Sequence, residues 1–367
     1  MKILHVYKDF EPPVHGGIER HMALMCRYQR EHADVSALTC SRSLSTHRTT
    51  RDGIPVLEIG EWGRLQNSPL APLYPYHLMR QKADITVIHS PMPTAEVSWL
   101  MPYPKGKMIV RYHSDVVRQA TAMKIYKPLL IRFLKKADLI IPTSKPYLDT
   151  SPYLELFKEK CKVVPLGIVA EEFQNIDSEK VQAIKNSTEK PIILFTGRHR
   201  YYKGLEFLIK ASNRINGTVI ITGEGQQTSE LKAMANSIDA DIRFTGRLEQ
   251  SDLIAHLHAC DVFAFPSIER SEAFGISILE AHACGKPVVA TTLGSGVEYA
   301  NLHEKTGLNV PPKDSDALAQ TINFLLDNPD TRQTMGAFAK QRVESDFHAK
   351  SVAEQELALY EEVLANG

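Results

Sequence analysis

The chain has 367 residues and carries 43 Lys+Arg against 43 Asp+Glu, a formal net charge of zero. The length suits two domains of ordinary size, and the neutral balance argues against a general nucleic-acid binder. No apolar run approaches the ~20 residues that a membrane span needs. Charge is unevenly placed: residues 1–185 hold 26 Lys+Arg and 19 Asp+Glu, a net +7, and the other 17 and 24 give −7. A basic first half suits contact with an anionic surface or acceptor. Cys26, Cys40, Cys161, Cys260 and Cys284 are scattered and odd in number, with no CxxC pair. They read as reduced thiols of a cytoplasmic protein.

Residues 2–7 form a first apolar strand, with no signal peptide ahead of it. A loop with two prolines ends at Gly16-Gly17, and residues 18–30 follow with helical period. A strand, a Gly-Gly turn and a helix make a phosphate-approach geometry, although such a turn serves many folds. Residues 35–38, 56–59, 85–89 (ITVIH) and 108–112 (MIVRY) are further strands. Their alternation with helices predicts a doubly wound parallel sheet, where ligands gather at the carboxyl ends of the strands. His113 and Asp115 follow one such end. Residues 64–76 carry no readable pattern. Residues 120–136 (ATAMKIYKPLLIRFLKK) predict a basic amphipathic helix with Pro128 in its first turn. It suits either a membrane surface or an ordinary face in water. Strands at 138–143 and 162–165 and a polar linker at 175–190 close the first half, placing a boundary near 185.

The second half restarts with a strand at 191–196 and the loop Gly197-Arg198-His199-Arg200-Tyr201-Tyr202-Lys203-Gly204. Arg198 and Lys203 both offer donors to a diphosphate, one as a fork and one as a point charge. Strands at 218–221 and 242–244 end in glycine turns, Gly223-Glu224-Gly225 and Gly246-Arg247-Leu248. The most informative stretch is 266–291, PSIERSEAFGISILEAHACGKPVVAT. It reads as a strand end, a polar loop holding Glu272, a helix holding Glu280, a C-terminal Gly285 and another strand. The amides of Phe274, Gly275 and Ile276 fall at the helix N-terminus, an anion site with a carboxylate on either side. A sugar nucleotide fits: diphosphate on the amides, hydroxyls on the carboxylates. Amphipathic helices at 314–326 and 330–343 precede a terminal helix, 349–364.

The segment Glu272-AFGISIL-Glu280 resembles the E-x7-E signature of the family-4 retaining glycosyltransferases of GT-B type. GGIER, the R-x4-K-G of Arg198 to Gly204 and the glycine turns match the same family over essentially the whole chain. The resemblance implies an α/β fold of two doubly wound, Rossmann-like domains facing across a cleft: residues 1–185 on the acceptor side, 186–345 on the donor side, and a terminal segment 346–367 returning to the first domain. It implies that Arg198 and Lys203 stabilise the leaving diphosphate, that Glu272 holds sugar hydroxyls and Glu280 the ribose, and that His113 faces the donor sugar. It places Gly16 and Gly17 against the diphosphate and acceptor, and Gly223, Gly225, Arg247 and Leu248 near the nucleotide, beside the amides of Phe274, Gly275 and Ile276.

The implied reaction moves a hexose from a nucleotide-diphospho-sugar to a hydroxyl of a saccharide or lipid-linked saccharide, with no cofactor and no metal. ERSEAFG, YHSDVVRQ and RYYKG resemble bacterial mannosyltransferases of surface polysaccharide assembly, which makes GDP-mannose the first expectation for the donor. A UDP-sugar-dependent transferase, a GT-B-like sugar-nucleotide epimerase and a silent binding module are the competing readings. Peripheral contact with an anionic membrane, at the cytoplasmic face, is expected from the basic first half.

Overall fold

A computed structural model describes residues 1–14, 16–65, 68–101, 106–115 and 120–366, with only the backbone described for 120–125. The polypeptide forms two compact units, Met1–Gly167 with Ala349–Gly367, and Ile168–His348.

The first unit is built on a seven-stranded sheet. Across it the strands run His47–Arg51, Ile54–Ile59, Asp34–Cys40, Lys2–Val6, Ile85–Ser90, Lys107–Tyr112 and Leu139–Pro142. All neighbours are parallel except the His47–Arg51 edge strand, which pairs antiparallel with Ile54–Ile59. That strand, HRTTR, is largely exposed, so it lacks the apolar run that marks a buried strand. Ile85–Ser90 is buried throughout. The sheet grows one way from Lys2–Val6 and then the other from Ile85–Ser90, so its switch point lies between these two strands.

The terminal helix Ala349–Ala365 belongs to this unit and packs on the helix Gly17–Gln29, burying Val352, Ala353, Leu357 and Tyr360. The stretch 64–76, unreadable in sequence, holds a short hairpin, Arg64–Leu65 with Ser68–Pro69, and starts the helix Tyr74–Met79. The basic stretch is the helix Ala120–Lys136, with Pro128 inside it rather than in its first turn. Leu130, Phe133 and Leu134 are buried.

The second unit carries a six-stranded parallel sheet: Ile242–Gly246, Thr218–Thr222, Ile192–Thr196, Val262–Phe265, Val288–Thr291, Gly307–Val310. Its switch point lies between Ile192–Thr196 and Val262–Phe265. Strands buried on both faces read as near-continuous apolar runs, and IILFT, TVIIT, VFAF and VVAT are wholly buried. The segment read as a linker contains a helix, Ser178–Asn186. Asp177 caps it, and it packs on Gln250–Ala259 inside the second unit. No residue of this helix is buried, so its composition resembles that of a tether.

Candidate active site

In the second unit the switch point sets two loops side by side at the strand ends, where doubly wound sheets bind ligands. One loop follows Ile192–Thr196 and carries Arg198 and Lys203; the other follows Val262–Phe265 and carries Glu272. Ile268 donates to the Tyr202 carbonyl at 2.8 Å, tying them together. Gly204 makes the approach possible: its φ is 63°, and a Cβ there would collide with the Pro266 carbonyl. Lys203 Nζ lies 2.5 Å from Glu272 Oε2 and 4.9 Å from the centre of the Phe265 ring. Burial opposes its charge, but the Glu272 carboxylate more than compensates, so its pKa is raised. Ser267 Oγ donates to Glu272 Oε2 at 3.3 Å, and Ser295 Oγ donates to the Glu272 carbonyl at 2.9 Å.

Gly275, at φ 85°, is the N-cap of the helix Ile276–Ala283 and supplies no side-chain cap. The first amides of the helix are therefore left for another acceptor. Glu280 lies on that helix, close enough to act electrostatically on Lys203. Arg198 is exposed in its loop. Two further loops brace the first: Gly223 N donates to the Gly246 carbonyl at 2.7 Å, and His199 N to the Glu224 carbonyl at 3.1 Å. Gly223 has φ 98°, and a Cβ there would meet the Gly197 carbonyl. Gly225, Arg247 and Leu248 stand in these loops, Gly225 and Arg247 exposed.

In the first unit, Gly16 is the extended N-cap of the helix Gly17–Gln29, again with no side-chain cap. At the other side of the switch, His113 follows Lys107–Tyr112 and is buried. His89 Nδ1 lies 2.9 Å from His113 Nε2, and His5 Nδ1 3.1 Å from His89 Nε2. Burial holds His89 and His113 well below the usual imidazole value, and neighbouring histidines and Arg111 add to this. Asp115 accepts from Tyr112 Oη and Ser151 Oγ, both at 2.8 Å. Among the described residues no group of three His, Cys, Asp or Glu is arranged to hold a metal ion.

A family model described as glycosyl transferases group 1 matches residues 177–342, and one described as Glycosyltransferase Family 4 matches residues 15–172. O-antigen chain mannosyltransferase C of Escherichia coli is 32% identical over 370 residues, covering 99% of each chain. The chain belongs to the family-4 glycosyltransferases. D-rhamnosyltransferase WbpZ of Pseudomonas aeruginosa is 31% identical, covering 95% of this chain and 93% of that protein. Among solved structures, sucrose-phosphate synthase of Thermosynechococcus elongatus superposes with TM-score 0.80 at 20% identity, covering all of both chains. Anabaena HepE, in complex with UDP-glucose, does so with TM-score 0.79 at 19% identity, again covering both chains in full. These give the glycosyltransferase its GT-B fold. The family assignment sets aside the epimerase alternative.

Of the residues singled out in sequence, the structure brings Lys203 and Glu272 of this glycosyltransferase into contact, with Glu280 near them. Glu272, expected to face sugar hydroxyls, is engaged by the lysine expected to face the diphosphate. Sequence reading missed Gln29, Arg111, Glu356, Tyr360, His5, His21 and His89, all buried. The available signal was Arg111 inside MIVRY and the histidines inside LHV and ITVIH, polar groups at positions that apolar side chains would fill.

Proposed function

We propose that this glycosyltransferase moves mannose from GDP-mannose to an acceptor hydroxyl during surface polysaccharide or glycolipid synthesis, retaining anomeric configuration. The observation that carries the reading is the Lys203–Glu272 pair at the switch point, beside the uncapped helix start at Gly275. An incoming diphosphate competes with Glu272 for the ammonium. Lys203, Arg198 and the Phe274–Ile276 amides then stabilise charge on the leaving phosphate. Glu272, released, accepts from sugar hydroxyls, and Glu280 from the ribose. The leaving phosphate takes the acceptor proton on the face it departs from, so no protein nucleophile is needed. Mannose is favoured by the name of the Escherichia coli relative, and GDP by a GDP-mannose-dependent mannosyltransferase of Corynebacterium glutamicum, 32% identical over 52% of this chain. The reaction needs no cofactor or metal, because two cations already serve the diphosphate. The enzyme works at the cytoplasmic face of a membrane.

A thermal-shift series with GDP, UDP and ADP tests the base, since a ligand that binds only the folded state adds about 2.7 kcal/mol at a hundredfold excess over Kd. GDP is expected to raise Tm most. Transfer of labelled mannose from GDP-mannose is expected to continue in EDTA. A shift with UDP alone overturns the donor, and loss of transfer in EDTA, restored by Mg²⁺, overturns metal independence.

A further inference from the structure

The first unit buries a chain of polar side chains that the sugar-transfer reading does not use. It begins at an ion pair, Arg111 Nε to Glu356 Oε1 at 2.9 Å, with both side chains fully buried. Arg111 also donates to the carbonyls of Ile141, Val164 and Pro165. Burial opposes ionisation of Glu356, but the guanidinium outweighs it and brings the carboxyl down to about 2. Glu356 is therefore an acceptor only. Tyr360 Oη donates to its Oε2 at 2.7 Å. With that proton committed, the Tyr360 oxygen offers only lone pairs to the Gln29 side chain that acts on it. An amide that meets those lone pairs does so with its NH₂, and Gln29 Nε2 is buried with no other hydrogen-bond partner among the described residues. Its Oε1 then faces His5 Nε2, 2.8 Å away.

From there each ring dictates the next. An amide oxygen only accepts, so His5 carries its proton on Nε2. Burial lowers His5 to about 4 and holds His89 and His113 well down, so near neutral pH each ring has one proton. The bare His5 Nδ1 accepts from His89 Nε2, and the bare His89 Nδ1 accepts from His113 Nε2. The chain ends at His113 Nδ1, a buried atom with no partner among the described residues. His21 is set the other way. Arg111 Nε donates to its Nε2 at 3.1 Å, which leaves its proton on a buried, unpartnered Nδ1. The His21 and His113 rings are 5.4 Å apart, edge to face. One offers an acceptor and the other a donor, and a hydroxyl group matches both.

We propose that the terminal helix sets the tautomer of His113: Glu356 and Tyr360, through Gln29, His5 and His89, hold its proton on Nε2, so that Nδ1 is a fixed acceptor for a hydroxyl of the saccharide substrate. The last step rests on His113 being a sugar-facing residue; the tautomer does not. Glu356, Tyr360, Gln29, His5 and His89 are positioning residues, since none is asked to touch substrate.

Histidine tautomers are read directly by ¹H–¹⁵N correlation of the full-length protein labelled with ¹⁵N-histidine at pH 7, with His113 assigned from the spectrum of His113→Phe. The expected result is a protonated Nε2 and a bare Nδ1 on His113. A proton on Nδ1, or an averaged pair of nitrogens, overturns the relay. Tyr360→Phe and Gln29→Leu each remove one link and are expected to average the His113 nitrogens, with kcat/KM lower by up to about tenfold, the worth of one hydrogen bond. If both fold and leave the His113 tautomer unchanged, the terminal helix does not set it. If His113 shows the expected tautomer but His113→Phe transfers sugar at the wild-type rate, the relay stands and its substrate role falls.

Discussion

Lys203 and Arg198 stand on one loop but differ in setting: Lys203 is mostly buried against Glu272, whereas Arg198 is exposed. Both are expected to act on the leaving diphosphate. Lys203→Ala and Arg198→Ala should each lower kcat by about 10²–10³, the usual cost of one preorganised donor, while circular dichroism stays native. Near-normal turnover in both would remove the diphosphate assignment. The sign of the lysine's titration adds a second check. Burial works against its ammonium and Glu272 more than offsets it, so the folded pKa is raised. Its charge is complete below the ordinary lysine value and is lost only as pH rises through the higher folded value. The rate should therefore show no lysine-dependent fall between pH 7 and 9; a limb there that vanishes in Lys203→Arg would contradict it.

The terminal helix is the element whose attachment is most readily tested. Glu356 joins it to the strand Lys107–Tyr112 through Arg111. Removing one partner of a buried pair typically costs about 3–5 kcal/mol, because the other charge is left unpaired. Glu356→Gln should lower the urea midpoint of the first unit by a corresponding amount at pH 7. A folded pKa of about 2 against an ordinary 4.5 means that this stability is complete above pH 4.5 and is lost as pH falls towards 2. The gap between wild type and variant should narrow across that window. A gap independent of pH would show that packing, and not the carboxylate charge, holds the helix.

For the whole molecule, the basic first half leads us to expect reversible membrane contact, and no described helix is long and apolar enough to cross a bilayer. The exposed cations of the helix Ala120–Lys136 are Lys127, Arg132, Lys135 and Lys136; the Lys124 side chain lies outside the described residues. Among the described residues of that helix, Leu130, Phe133 and Leu134 are buried in the core and so are not available for insertion. Exposed apolar side chains stand elsewhere on the same unit, with Trp62 76% and Leu65 66% exposed. Each basic residue near an anionic leaflet contributes about 1 kcal/mol. Neutralising the four cations should abolish co-sedimentation with anionic liposomes at low salt, and Trp62→Ser with Leu65→Ser should weaken it. Binding that survives all of these changes would place the contact on another surface.

Much of this protein is legible in the local chemistry of its sequence. Buried parallel strands appear as unbroken apolar runs, glycines mark the turns, and the loop residues Arg198, Lys203 and Glu272 stand close to such signals in the chain. The exposed strand His47–Arg51 and the exposed helix Ser178–Asn186 lack those signals, because elements in contact with water need no apolar pattern. Strand order is also beyond local reading, since it depends on which crossovers pair over long separations. That order brings Lys203 to Glu272, far from it in the chain, and sets His5 beside His89, while the packing of the terminal helix sets Glu356 beside Arg111. A hydrogen bond of about 3 Å leaves no periodicity in a sequence, so these polar partners are decided by the tertiary structure alone.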